Sequence, residues 1–108
     1  MLLFLAACAV EAPKACDPMC SSAAELYGGC LEDWGVGWEA AGYDDEDDFL
    51  GSCSTWAWEM QVLEDDAVER GEATGGEVAA ICAERRALFE SEDATCQTYT
   101  DLEWGAPW

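Results

Sequence analysis

Seven cysteines in a chain of 108 residues are the side chains best placed to do chemistry, as disulfide partners, metal ligands or nucleophiles. Zinc ligation calls for CxxC pairs or histidines, and this chain has neither. The missing imidazole also removes the usual general base and the usual activator of a serine or cysteine nucleophile. No Ser, Thr or Tyr has an activating partner recognisable in the sequence, and no Gly-rich phosphate loop follows a strand. No cofactor is implied, and no enzymatic activity is assigned. Disulfides remain, and such cysteine density belongs to an oxidising compartment where bridges supplement a small core. An odd number leaves one cysteine needing a separate role.

The other candidate groups are acids and aromatics. Twenty-four Asp and Glu face only Lys14, Arg70, Arg85 and Arg86, a formal net charge of −20 that repels nucleic acid and anionic lipid surfaces. The run Asp44 to Asp48 fails as a calcium loop, since the sixth and twelfth places hold Phe49 and Thr55 where Gly and Glu are needed. It reads as a solvated helix start, with divalent-cation sequestration by the acidic surface as a weaker alternative. Six Trp among carboxylates suit a carbohydrate-binding surface, on which an aromatic face stacks against a sugar ring. A glycan-active enzyme would further need two carboxylates set across a cleft. Trp58 and Trp38 are the candidate ligand aromatics.

Helices must position these groups. Cys16, Cys20, Ala23, Tyr27, Cys30 and Trp34 recur at steps of four and three, one face of a helix over 17–34 with Asp17 as N-cap and Pro18 at its first position. Gly35-Val36-Gly37 stops it and 38–43 forms a connecting loop. Phe49, Cys53, Trp56, Met60, Leu63 and Ala67 repeat the spacing, predicting a second helix over 46–70, with Arg70 favourable at its end and Gly71 terminating it. Thr74-Gly75-Gly76-Glu77 fits a capping box for a third helix that runs to Glu90 and buries Val78, Ile81, Cys82, Leu88 and Phe89. Ser91 caps a shorter fourth helix carrying Cys96 and Tyr99, and the tail from Leu102 to Trp108 docks through its two Trp. The expected fold is all-α, a small antiparallel bundle of three main helices plus a short fourth. Trp34 and Trp56 then pack in the core. Trp58 points outward, covered by the loop around Trp38 or by the tail, or else free to bind.

Three disulfides join Cys16, Cys20, Cys30, Cys53, Cys82 and Cys96. If the antiparallel helices start and end at common levels, a rise of about 1.5 Å per residue makes Cys30–Cys53 and Cys20–Cys82 level pairs. Cys16–Cys96 follows by elimination, although Cys96 should lie nearer the far end of the first helix; a rival set pairs Cys82 with Cys96. The same levels place Arg85, in the middle of the third helix's apolar stripe, opposite Glu59 as a structural ion pair. The alternative is that Arg85 reaches past a thin core edge to solvent.

The opening run from Met1 to Val10 is too short to span a bilayer as a helix and reads as a signal segment. Leu5-Ala6-Ala7-Cys8 resembles the lipobox of bacterial lipoproteins, in which the cysteine is lipidated and becomes the mature N-terminus. The resemblance implies a signal segment over 1–7, its basic start encoded upstream of Met1, a lipidated tether over 8–16, and a helical domain over 17–108. It makes Cys8 the lipidation site and the membrane a partner through that anchor. With Ala9 where Asp would favour retention at the inner membrane, it implies the outer membrane or cell surface. More loosely, the whole chain is similar to small acidic, cysteine-stapled helical lipoproteins exported by bacteria, a likeness that transfers no active site. The function expected is a lipid-anchored structural or binding module at the bacterial envelope, with an envelope protein or a glycan as partner. The alternative is a carbohydrate-binding or small glycan-active protein.

Overall fold

The computed structural model, which describes residues 10–108, contains α1 (Cys16–Asp33), α2 (Glu46–Glu69), α3 (Glu77–Glu90) and the five-residue α4 (Cys96–Thr100), with a 3₁₀ turn at Trp38–Ala41 between α1 and α2. There is no strand among the described residues. The three long helices run up, down and up, as expected, and α1 touches all the others. The core is built from sulfur and small side chains. Cys16, Met19, Cys20, Ala23 and Ala24 of α1 pack against Phe49, Cys53, Ala57 and Met60 of α2 and Val78, Cys82 and Phe89 of α3. Alanines let the backbones approach, and full burial of a side chain such as Met19 stabilises by roughly 1.5–3 kcal/mol.

The helix ends follow local chemistry. Asp45 is the N-cap of α2, its Oδ1 accepting from Asp48 N at 2.8 Å, and Glu46, Asp47 and Asp48 fill the first turn where the dipole favours negative charge. Gly71, at φ +74°, takes the left-handed conformation that ends α2, with Glu72 N donating to Ala67 O. α1 begins one residue earlier than expected. Ala15 is the N-cap and Pro18 sits third in the helix, where an N–H would still lack an intrahelical partner, so the ring is tolerated. Thr95, not Ser91, caps α4, through a reciprocal capping box with Thr98.

The start of α3 departs further from expectation. Its N-cap is Gly76, and Glu77 does reach back, accepting from Thr74 N at 3.0 Å and Gly75 N at 2.8 Å. The Thr74 hydroxyl, however, donates to the Glu77 carboxylate instead of accepting from the backbone. The Thr74 backbone bond leads the effects that hold the Glu77 carboxyl below its ordinary 4.5, against a partial desolvation that raises it. A carboxylate with a depressed folded-state pKa contributes stability above 4.5 that is lost as pH falls through the folded value. Glu77→Gln is therefore expected to lower the urea midpoint at pH 7, with the gap to wild type closing in acid. A gap that persists at pH 3 would place the effect elsewhere.

The disulfides are Cys16–Cys82, Cys20–Cys53 and Cys30–Cys96, which corrects the expected pairs Cys30–Cys53, Cys20–Cys82 and Cys16–Cys96, and the rival Cys82–Cys96. One offset explains the change. The 34–45 connection does not leave α2 level with the end of α1 but doubles back, seating Trp38 on Gly28, where an added Cβ would stand 3.2 Å from Trp38 Cζ2. α2 thus begins beside Tyr27, whose ring lies 6.0 Å from that of Phe49. Cys53 drops from the level of Cys30 to that of Cys20, ten residues or about 15 Å. α3 is displaced in the same direction by less, four residues of α1 or about 6 Å, which brings Cys82 from the level of Cys20 to Cys16. Cys96, placed toward the far end of α1 as expected, meets Cys30.

The double glycine in α1 separates two roles. Nothing stands within 4 Å of a Cβ built at Gly29, so Gly29→Ala is expected to stabilise by about 0.5–1 kcal/mol through helix propensity alone. Gly28→Ala should be neutral or destabilising, because Trp38 must move. Equal urea midpoints for the two variants would refute the seating of Trp38 on α1.

Candidate functional site

Aromatic side chains from every part of the chain converge at the upper half of the bundle. Phe49 of α2 lies 5.0 Å from Trp38 and 5.1 Å from Tyr43, both in the α1–α2 connection, and Tyr99 of α4 stacks on Tyr27 of α1 at 4.6 Å. The C-terminal tail docks as expected, with Leu102, Trp104, Ala106 and Trp108 packed on the core. Trp56 Nε1 donates to Trp104 O at 2.8 Å, and the two indoles meet edge to face, with centroids 5.0 Å apart at 84°.

Between these rings lies an open cleft of about 300 Å³, walled by Tyr43, Phe49, Trp56, Tyr99 and Trp104 and floored by Ser52 and Cys53 of α2. Burial pushes the Tyr99 phenol well above its ordinary range, with Tyr43 and Tyr27 adding to the effect, so it stays neutral. Ser52 and Trp56 also belong to a shallower groove that continues along α2 past Thr55, with Asp48 and Glu59 at its ends.

Arg85 stands behind the Trp corner. Its guanidinium lies 4.6 Å from the Trp104 ring centre and 5.7 Å from that of Trp56, and Nη2 donates to the Glu103 carbonyl. The expected ion pair with Glu59 is not formed. Glu59 is exposed on the α2 groove, and the tail supplies Arg85 with a carbonyl and one π face, α2 with a second. That solution avoids desolvating a carboxylate as well as a cation. Arg85 is half-buried, so it does not reach past the core edge to open solvent either; burial lowers its pKa while Glu84 opposes the shift.

The residues singled out in the sequence are not brought together. Trp38 is enclosed by Tyr27, Tyr43 and Phe49. Trp58 is 48% exposed, and its Nε1 donates to Val10 O at 3.0 Å. Neither the 38–43 loop nor the tail is its hydrogen-bond partner; the segment before α1 is. Trp34, expected in the core, is 53% exposed at the end of α1, touching Tyr27 edge to face. Cys8 and the 1–7 segment lie outside the described residues. The cleft residues Tyr43, Trp56, Tyr99 and Trp104 were not legible as a set. Three of them sit outside the long helices, where no period marks a face, and the only sequence signal was aromatic content in the loop and tail.

The geometry limits the chemistry. Asp48 and Glu59 are eleven residues apart on one helix, about 16 Å along its axis, beyond the roughly 5–9.5 Å that separates the acids of a glycosidase. Ser22 donates to Glu90 Oε2 at 2.5 Å, but that hydrogen bond, together with the bond from Arg86 at 2.8 Å, holds the Glu90 carboxyl below its ordinary range. Among the described residues no group of Asp, Glu or Cys side chains is arranged to hold a metal ion. Comparison of the chain with protein-family models, curated proteins and solved structures returned no match.

Proposed function

We propose that this chain is an exported, lipid-anchored binding module of the bacterial envelope, in which a disulfide-stapled helical scaffold presents the aromatic cleft to a ligand. The supporting observation is the complete pairing of Cys16, Cys20, Cys30, Cys53, Cys82 and Cys96 with one another, a pattern that suits an oxidising compartment. The seventh cysteine, Cys8, is the residue that the lipobox resemblance assigns to the anchor. The described chain is held to α2 at Val10, whose carbonyl accepts from Trp58 Nε1, and Val10 does not line the cleft. An anchored domain of that form leaves the cleft open to the surroundings.

Growth of expressing bacteria with a fatty-acid analogue tests the anchor. The protein should take up the label and sediment with membranes, and Cys8→Ala should remove the label and release the chain to the soluble fraction. Labelling unchanged by Cys8→Ala would sink the anchor.

A further inference from the structure

We infer that the aromatic cleft is a cage for a quaternary ammonium group. The inference rests on the reading of this cleft as the module's ligand site, not on the lipid anchor. Two near-perpendicular pairs form its walls, Trp56 with Trp104 at 84° and Tyr43 with Phe49 at 81°, and Tyr99 stands 5.6 Å from Trp104. Rings that meet at right angles surround a small volume with π faces from several directions, the arrangement that attracts an alkylated cation. Two of these rings already hold a cation on the molecule itself, for the Arg85 guanidinium lies against Trp104 and Trp56 without lining the cleft.

The polar inventory fits an ammonium better than a sugar. Trp56 Nε1 is committed to Trp104 O, which leaves Ser52, the Tyr43 and Tyr99 phenols and the Trp104 indole N–H as the side-chain hydrogen-bonding groups of a lining otherwise made of aromatic faces. A sugar brings a ring of hydroxyls that each require a partner, whereas a quaternary ammonium has no N–H and requires none. The charges agree. Arg85 behind the Trp walls opposes a bound cation, but no basic residue lines the cleft itself, Asp48 and Glu59 flank the groove that leads from it, and a net −20 draws cations toward the surface.

Titration of the full, oxidised chain carrying Cys8→Ala with choline chloride, followed by indole resonances and tryptophan fluorescence, is the test. Saturable binding is expected, with the uncharged isostere 3,3-dimethylbutan-1-ol about tenfold weaker or worse. Trp104→Ala should abolish binding. Because that change can undock the tail, Ser52→Phe, which fills the cleft from the exposed side of α2, should weaken binding at least about tenfold while helicity and thermal midpoint hold. Equal affinity for the neutral isostere, or tighter binding of N-acetylglucosamine, in either case lost in Ser52→Phe, would overturn the ammonium assignment and leave the cleft as the ligand site. Titrations that never saturate, or that ignore Ser52→Phe, would overturn both.

Discussion

Replacing Cys16 and Cys82 together by alanine is expected to destabilise the protein by about 4 kcal/mol. The bridge joins residues 66 apart, and closing a loop of that length removes roughly this much conformational entropy from the unfolded chain. Cys20–Cys53, with a separation of 33, should contribute about 0.6 kcal/mol less. Both lie in the core, so truncation to alanine adds a packing loss to the entropic one. A domain of this size has a total stability on the order of 5–15 kcal/mol, so one lost bridge removes a large share and full reduction should unfold it. Cys30–Cys96 has the same separation of 66 and hence a similar entropic term, and because it ties down the five-residue α4, which carries Tyr99, its removal should also open the cleft. Urea denaturation of each double variant measures these effects, and non-reducing peptide mapping should recover the three linked pairs. A Cys30–Cys53 peptide, or an unchanged midpoint without Cys16 and Cys82, would refute the arrangement.

Glu64→Ala should be the most damaging substitution of a charged residue, at about 3 kcal/mol. Glu64 is 4% exposed on α2, yet it faces the start of α3. Oε1 accepts from Val78 N at 2.7 Å, and Oε2 accepts from Gly76 N at 3.3 Å and Gln61 Nε2 at 2.8 Å. One carboxylate thus satisfies orphan donors at the head of α3, where the helix dipole also favours negative charge, and ties two helices together. Alanine would leave the Val78 N–H buried without an acceptor. Glu64→Gln keeps one acceptor oxygen and should retain about half of the stability. Faster amide exchange at Val78 in Glu64→Ala would locate the loss at the cap. A near-neutral Glu64→Ala would show that α3 starts without it.

The same residue shows where periodicity misleads. A strict four-three alternation places Leu63 inside, but the buried positions of α2 are Phe49, Cys53, Ala57, Met60, Glu64 and Ala67. Both sets run from Phe49 to Ala67 with the same mean step of about 3.6, so the period does not choose between them; the structure buries Ala57 and Glu64 where the alternation put Trp56 and Leu63, one residue or about 100° round the helix, and Leu63 is 46% exposed. Hydrophobicity alone selects the leucine. Only the open helix end of α3 makes a glutamate the better occupant.

Arg85 teaches the same lesson about partners. Its place on the apolar face of α3 was legible, as was its need for compensation. Charge alone pointed to Glu59, but the tail offers the Glu103 carbonyl and the Trp104 face, and α2 the Trp56 face, which compensate the guanidinium in part without burying a second charge and leave Nη1 buried without a hydrogen-bond partner.

The sequence by itself determined what depends on neighbours within one or two turns: an all-helical chain, the extent of α2 with Asp45 before it and Gly71 after it, the glycine stop of α1, and cysteines spaced to face a common core. Caps, turns and helical periods are short-range, so the residues that make them are adjacent in the chain. Tertiary structure alone decided the register between helices. The fold-back of Trp38 onto Gly28 lowers α2 by about 15 Å relative to its expected level, and that offset changes every disulfide. It also decided the cleft, because Tyr43, Tyr99 and Trp104 come from segments without a repeating face and are brought to Trp56 only when loop, short helix and tail have all packed.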